Sequence, residues 1–318
     1  MKSLWLENGK LEFRDDMPIP EPHAGEALIR VSLAGICSTD LELLRGYYPF
    51  TGIPGHEFVG VVVSSPSDKS WIGKRVVGEI NIACGGCATC HAGLPRHCEN
   101  RKTLGIHAWD GSFAEYLVLP LGNLHLVPTH LPDKLAVFTE PLAAACEILE
   151  QVRLNRQQHV LLIGAGRLGQ LVAQVLHQAG CQLEVVIRHL NQHTLLTQRN
   201  IATLTEQTVG QKRYDLVVEA SGTPEGLDLA RICVHPRGTI VLKSTYHGSQ
   251  EVDFSSIVVD EVSLIGSRCG PFEPALKLLS AGQVDPSALI EAIYPIDQGL
   301  SAFEHAAQPG VLKILLQP

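Results

Sequence analysis

Two patterns of apolar residues divide this chain. Up to about residue 130, short β-branched runs are separated by Gly, Pro and Asp, a texture typical of a β-rich domain; the runs are 27–33, 58–65, 75–82 and 114–119. From about residue 135, apolar strands alternate with amphipathic helical segments, beginning with strand 159–164, helix 167–180 and strand 183–188. Such β-α-β alternation predicts a parallel sheet covered by helices on both faces.

These patterns predict an α/β protein with three segments. Residues 1–134 form the β-rich domain, and residues 135–270 form a doubly wound parallel sheet. Residues 271–318 contain two helices and a closing strand. Periodicity alone leaves open whether this tail extends the second sheet or returns to the first domain.

Composition narrows the classes of partner. The 318 residues carry a formal net charge of −8, and the hydrophobic fraction of 45% is that of a globular protein. A nucleic-acid-binding protein needs a basic face to neutralise phosphates, and this acidic composition argues against that class. The longest apolar stretch, 159–186, is interrupted by Arg and Gln, and the first sixteen residues lack the apolar core of a signal peptide. We therefore expect no membrane span and a cytoplasmic location.

A glycine-rich turn follows the first strand of the predicted parallel sheet. It reads Gly164-Ala165-Gly166-Arg167-Leu168-Gly169 and opens a helix. In a dinucleotide-binding turn the first glycine permits the tight turn, the second lets the backbone approach a pyrophosphate, and the third allows close helix–strand packing. The helix N-terminus then offers N–H groups to the phosphates. The alternative is a glycine-rich turn that binds nothing.

Four cysteines lie within fifteen residues, at Cys84, Cys87, Cys90 and Cys98. In a reducing compartment such spacing indicates a metal site before it indicates disulfides. Four thiolates suit tetrahedral zinc and leave no open position for substrate, which predicts a structural zinc lobe. An iron–sulfur cluster is the competing interpretation. His91 and His97 lie inside the loop as alternative ligands.

Further polar residues stand among apolar neighbours at Cys37, at His56 and Glu57, and at Glu140. Each has a simple structural explanation when taken alone. Cys37 could be a small buried apolar residue, His56 a hydrogen-bonded core histidine, and Glu140 an acid at a helix start. Their meaning depends on whether they act together.

Taken in order, these motifs resemble a known family. The runs GICSTD, GHEFVGVV, the four-cysteine lobe, TEPLA and GAGRLG are similar to those of the zinc-containing medium-chain dehydrogenase/reductases of the alcohol dehydrogenase superfamily, and most similar to the sorbitol and threonine dehydrogenase branch. The resemblance covers nearly the whole chain. It implies a GroES-like catalytic domain, a Rossmann coenzyme domain, and a tail that returns to the catalytic domain.

The resemblance also implies roles for individual residues. Cys37 and His56 would bind a catalytic zinc, and Glu140 would be the third ligand or hold a water there. Glu57 would enter the metal shell during turnover, and Thr39 would pass on the proton of the substrate alcohol. Many relatives continue this proton relay through a histidine, but here the next residues are Asp-Leu-Glu. Glu42 or water would have to substitute.

The implied activity is hydride transfer between NAD(P) and an alcohol, a polyol or a hydroxy-amino acid, in a homodimer or homotetramer with two zinc ions per chain. Two alternatives are a zinc-free quinone or enoyl reductase of the same superfamily and a non-catalytic protein that binds zinc and a dinucleotide. The full set of cysteine, histidine and glutamate positions argues against both. No motif identifies the substrate.

The coenzyme prediction depends on the end of the second parallel strand. NAD-binding domains place an acid about twenty residues beyond the glycine turn, where it binds the adenosine ribose. Here Arg188 stands at that position, and the nearest acid, Glu184, comes too early in the strand. A guanidinium can pair with a 2′-phosphate, so we expect NADP to be favoured over NAD. The alternative is an exposed arginine, with NAD held by backbone contacts.

Overall fold

The computed structural model describes residues 1–245 and 249–318. The chain divides into two compact units. The first unit combines Met1–Glu140 with Phe272–Pro318, and the second unit is the continuous segment Pro141–Pro271. Within the described residues, no helix has both the length and the apolar character that crossing a membrane requires.

The first unit is rich in short strands. Its strands before the second unit are β1 (Ser3–Glu7), β2 (Lys10–Arg14), β3 (Glu26–Gly35), β4 (Glu57–Ser64), β5 (Arg75–Gly78), β6 (Asn81–Ile82), β7 (Lys102–Thr103), β8 (Tyr116–Pro120) and β9 (Leu124–Leu126). The helices of the same stretch are short: α1 (Ser38–Leu44), α2 (Ala88–His91) and α3 (Asp133–Ala136). A longer helix, α4 (Thr139–Gln151), follows them.

The second unit alternates strands and helices. Its elements are β10 (His159–Ile163), α5 (Arg167–Gln178), β11 (Gln182–Val186), α6 (Leu190–Thr197), β12 (Ala202–Leu204), β13 (Tyr214–Glu219), α7 (Pro224–Cys233), β14 (Val234–Leu242), α8 (Phe254–Val259) and β15 (Ser263–Gly266). The tail then adds α9 (Phe272–Ser280), β16 (Ile290–Pro295), α10 (Gly299–Ala306) and β17 (Lys313–Gln317) to the first unit.

The main sheet of the first unit has the order β16-β17-β3-β4-β5-β9, with β8 also paired to β3. Strand β17 runs antiparallel to β3, so the tail extends the sheet of the first unit. Strands β3 and β4 are antiparallel, and Gly35 at the end of β3 is paired with Glu57 at the start of β4. A side chain at Gly35 would collide with the Glu57 carboxylate. This glycine therefore lets the strand ends that carry the candidate site approach each other.

The sheet of the second unit has the order β12-β11-β10-β13-β14-β15, and its strand pairs are parallel. Its central strands are apolar and buried along their length, as in Val160–Ile163 of β10, because helices cover both faces of such a sheet. The strand order reverses beside β10, and the crevice at such a switch point is where open parallel sheets bind ligands. The predicted fold class, a GroES-like β-rich domain with a Rossmann parallel-sheet domain, is confirmed.

Candidate metal and coenzyme sites

The end of β3 and the start of β4 bring three predicted residues together. One ligand atom from each of Cys37, His56 and Glu57 lies within 4.8 Å of the others. Cys37 immediately precedes α1, and its backbone N–H donates to Asp40 Oδ2 at 2.7 Å, which fixes the start of the helix. The segment before His56 is held by backbone hydrogen bonds to residues 111–113. The three side chains are thus positioned by paired backbone on both sides.

Asp40 also belongs to this site, although the sequence analysis mentioned it only as part of the run that lacks the relay histidine. It is fully buried, and its Oδ1 lies 3.3 Å from His56 Nδ1. The two atoms are close but are not aligned as a hydrogen bond, so the contact is electrostatic. Burial by itself lowers the pKa of His56, but the charge of Asp40 and the Cys37 side chain raise that pKa well above its ordinary value. With Asp40 at Nδ1, the other ring nitrogen is left to bind a metal.

Lys313 is a second residue that motif reasoning missed. Its ammonium lies 2.6 Å from Glu57 Oε2, and both side chains are buried, at 4% and 1% exposure. The ammonium also donates to the Ile36 carbonyl at 3.3 Å. Glu57 Oε1 is buried and has no hydrogen-bond partner among the described residues. A buried carboxylate oxygen without a donor, beside a thiol and an imidazole, fits a site for a zinc ion.

Thr39 and Glu140 have different positions relative to this group. The hydroxyl of Thr39 lies 3.9 Å from Cys37 Sγ and is partly exposed. Glu140 stands in the first turn of α4. It does not belong to the group of Cys37, His56 and Glu57 whose ligand atoms lie within 4.8 Å of one another.

The four-cysteine lobe converges as its spacing predicts. The ligand sulfurs of Cys84, Cys87, Cys90 and Cys98 all lie within 4.8 Å of one another. The separations are 3.4 Å for Cys84–Cys98, 3.5 Å for Cys87–Cys90 and 3.8 Å for Cys87–Cys98. Four ligands about 2.3 Å from a central zinc ion have mutual separations of about 3.8 Å. The lobe therefore already has dimensions close to those of a zinc tetrathiolate.

Backbone geometry in the lobe favours the ionised form of one thiol in particular. The Gly86 N–H, followed by Cys98 and the Cys87 N–H, lowers the pKa of Cys84 to about 6. Burial, followed by the neighbouring thiols, raises the pKa of Cys90 to about 12. A bound cation would remove this difference between the pKa values of Cys84 and Cys90, because a thiol that coordinates a metal is deprotonated.

The glycine turn has the geometry of a dinucleotide loop. Gly164 has φ +97° and its N–H donates to the Val186 carbonyl at 3.3 Å. A Cβ at Gly169 would collide with the Gly164 carbonyl, whereas a Cβ at Gly166 would meet no described protein atom within 4 Å. The first and third glycines are therefore needed for packing, and the second leaves space for a phosphate. Arg167 and Leu168 form the first turn of α5, whose N-terminus faces this space.

Arg188 lies two residues beyond Val186, the last residue of β11, whose carbonyl accepts the Gly164 N–H. Its guanidinium pairs with Glu206, which follows β12 on the neighbouring strand: Nε and Nη2 each lie 3.2 Å from Oε1. Both side chains are about half exposed. The Glu206 carboxylate thus lies at a position where the sequence indicated only an arginine. A search for an acid along β11 does not find Glu206, because this residue follows the neighbouring strand β12.

Comparison with known proteins places this chain in a family. The alcohol dehydrogenase GroES-like domain family matches residues 23–129. A sorbitol dehydrogenase of Halalkalibacterium halodurans is 30% identical over 95% of this chain and 94% of its own length. The chain therefore belongs to the zinc-containing medium-chain dehydrogenase/reductases. It is an oxidoreductase that transfers hydride between an alcohol or polyol and NAD(P).

Several solved structures match the whole of this chain, and two of them illustrate the similarity. A protein from Sinorhizobium meliloti 1021, described as a zinc-binding dehydrogenase bound to NADP, has a TM-score of 0.91 and 28% identity, with 99% of it covered. An alcohol dehydrogenase (rspB) from Escherichia coli CFT073, complexed with NADH, has a TM-score of 0.90 and 28% identity, also with 99% covered. Equally similar relatives have thus been solved with different coenzymes.

Proposed function

We propose that this chain is a dehydrogenase with two zinc ions, one catalytic and one structural. Cys37 and His56 hold the catalytic ion, and Glu140 is the third ligand or holds a water at that position. The four lobe cysteines hold the structural ion: Cys84, Cys87, Cys90 and Cys98. The convergence of Cys37, His56 and Glu57 within 4.8 Å carries the proposal. When bound there, zinc supplies a Lewis acid that polarises the substrate oxygen.

The chain's own residues then move the proton and orient the site. Thr39 takes the proton of the substrate hydroxyl, and its place 3.9 Å from Cys37 Sγ supports this role. The outer relay runs through Glu42 or water. Glu42 lies one helical turn further along α1, paired with Arg45 at 2.6 Å. Because Lys313 holds Glu57 Oε2, Oε1 is the oxygen with which Glu57 would approach the metal during turnover.

The substrate is an alcohol, a polyol or a hydroxy-amino acid. Support comes from the Glu-Pro-Leu run at 140–142 and from the sorbitol dehydrogenase relative. The decisive experiment is a panel of polyols, aldoses and amino alcohols, tested with NAD⁺ and NADP⁺ before and after zinc removal. Metal analysis accompanies it, with two zinc ions per chain expected. Zinc-independent turnover, or a lobe that contains iron, would contradict the proposal.

The proposed coenzyme is NADP in preference to NAD, held at the turn of Gly164, Gly166 and Gly169. The observation that supports this preference is Arg188 at the end of β11, where a guanidinium can pair with a 2′-phosphate. Replacement of Arg188 by Asp should move the preference towards NAD⁺ in steady-state kinetics with both coenzymes. A wild-type enzyme that prefers NAD⁺ would contradict the proposal.

We further propose a cytoplasmic homodimer or homotetramer. None of the nine cysteines forms a disulfide within the described residues, which suits a reducing compartment. On the second unit, β15 is the end strand of the sheet, and α8 exposes Phe254 (65%), Val258 (73%) and Val259 (80%). Apolar groups clustered in this way indicate a surface that another protein copy covers. Light scattering should give a particle mass that is a multiple of 34.5 kDa, the mass of one chain. Val259→Glu should lower this mass, because it places a charge in the proposed contact between copies.

A further inference from the structure

A cavity opens where the chain leaves β11 and β12. It is about 290 Å³ in volume and is lined by Ile187, Arg188, Thr205, Glu206 and Gln207. The two strands are parallel and in register, with Val186 opposite Leu204, so the lining residues follow both strands at the same edge of the sheet. The Val186 carbonyl also accepts the Gly164 N–H. The cavity therefore adjoins the glycine turn on the side where Rossmann domains hold the adenosine ribose.

The ion pair across this cavity restricts what Arg188 can do. One oxygen, Glu206 Oε1, lies 3.2 Å from both Nε and Nη2 of the guanidinium. That is one of the two edges of the guanidinium that can make two parallel bonds to a phosphate. A 2′-phosphate bound at this edge must displace the carboxylate, and at either edge it remains beside a second anion. A plain ribose meets neither obstacle, because its 2′-hydroxyl can donate to a carboxylate oxygen.

We propose that Glu206 is a specificity-determining residue that opposes NADP and favours NAD, against the pull of Arg188. The inference rests on the proposed function, because it takes the cavity at Arg188 as the adenosine ribose site. The two side chains act in opposite directions on the same 2′ position. The coenzyme preference of the wild-type enzyme is then the small difference between two larger effects.

The loop itself does not depend on Glu206, which makes the residue testable. The Thr205 N–H donates to Thr208 Oγ1 at 3.0 Å, and the Thr208 N–H donates back to the Thr205 carbonyl at 3.0 Å. Glu206 is about half exposed, so its loss leaves no buried group unpaired. Glu206→Gln should therefore fold as the wild type does. A matched control is Glu261→Gln, which removes the carboxylate of another exposed pair in the same unit, Arg237–Glu261 at 3.4 Å.

The experiment measures binding of 2′,5′-ADP and of 5′-AMP to the zinc-loaded enzyme by calorimetry, together with kcat/KM for NADP⁺ and NAD⁺. We expect Glu206→Gln to tighten 2′,5′-ADP roughly tenfold, with 5′-AMP changed by less than about threefold. In the Arg188→Gln background the same change should give a clearly smaller gain, because it then relieves only the repulsion between the carboxylate and the phosphate. Glu261→Gln should leave both probes unaffected.

An unchanged ratio of the two affinities in Glu206→Gln, or no binding of either probe, would overturn the inference. A gain of the same size in the Arg188→Gln background would also overturn it, because the carboxylate would then act independently of the guanidinium. A wild type that binds 5′-AMP more tightly than 2′,5′-ADP is a separate outcome. It contradicts the proposed NADP preference, yet supports the role of Glu206 if Glu206→Gln still moves the ratio towards the phosphate.

Discussion

Replacement of Lys313 tests how much the buried Lys313–Glu57 ion pair contributes to the stability of the first unit. In Lys313→Met the side chain keeps its length and apolar stem but loses the ammonium that lies 2.6 Å from Glu57 Oε2. The Glu57 carboxylate, only 1% exposed, would then lose the ammonium at Oε2, while Oε1 already has no hydrogen-bond partner among the described residues. Because the pair joins the tail strand β17 to the start of β4, its loss weakens the sheet beside the candidate metal site.

The expected cost follows from burial. Removing one partner of a buried ion pair costs about 3–5 kcal/mol, because the remaining charge is left without compensation. The Ile36 carbonyl also loses a donor at 3.3 Å. In a unit of this size such a loss lowers Tm by roughly 6–20 °C. By contrast, the exposed pair Lys277–Glu273, with side chains 73% and 74% exposed, should contribute far less to stability, because solvent screens the two charges.

The assay is urea unfolding of zinc-loaded protein, followed by fluorescence, on Lys313→Met and on the control Lys277→Met. The double variant Glu57→Gln/Lys313→Met completes a cycle, and it should recover most of the loss because no buried charge remains. The reasoning is refuted if Lys313→Met costs less than about 1 kcal/mol. It is also refuted if the double variant is as unstable as the sum of the single changes.

Three further predictions concern the metals, the proton path and pH. Cys87→Ser should lower zinc from two ions to one and destabilise the fold, whereas Cys37→Ala should lose the other ion with little effect on stability, by metal analysis and denaturation. Thr39→Val should reduce turnover roughly 10²–10⁴-fold, and a wild-type rate would exclude the relay. The hydrogen bond to Asp215 raises the pKa of His235, so their pair stabilises below about pH 6.5 and is lost as pH rises through the raised pKa. His235→Gln should therefore cost about 0.2–1 kcal/mol more at about pH 6 than at about pH 9 in urea titrations. An equal cost at both pH values would contradict this.

Features built from neighbouring residues were readable from the sequence. The glycine turn and the four-cysteine lobe each lie within a short segment, so spacing alone carries their geometry. The strands were equally readable, because β-branched runs and Gly-Pro punctuation are local signals. The parallel sheet followed from their alternation with helices.

Features assembled from distant segments were not readable in this way. Lys313 stands in an apolar strand 256 residues beyond Glu57, and only the pairing of β17 with β3 brings the two together. A lysine inside such an apolar run was the available signal, since a buried lysine requires a partner. Glu206 was missed for a related reason, because the distance that matters runs across the sheet and not along the chain.

The discontinuity of the first unit has a consequence for biosynthesis. The second unit is one continuous segment. In the first unit, by contrast, β3 cannot complete its pairing until β17 has been synthesised. Translation at roughly 5–20 residues per second separates Glu57 from Lys313 by roughly 13–50 s. The middle of the nascent chain can therefore become native while its earlier part still exposes an unfinished sheet. We expect ribosome-bound chains halted before β16 to resist protease in the second unit and to be cleaved within residues 1–140, the segment that would need a chaperone during synthesis.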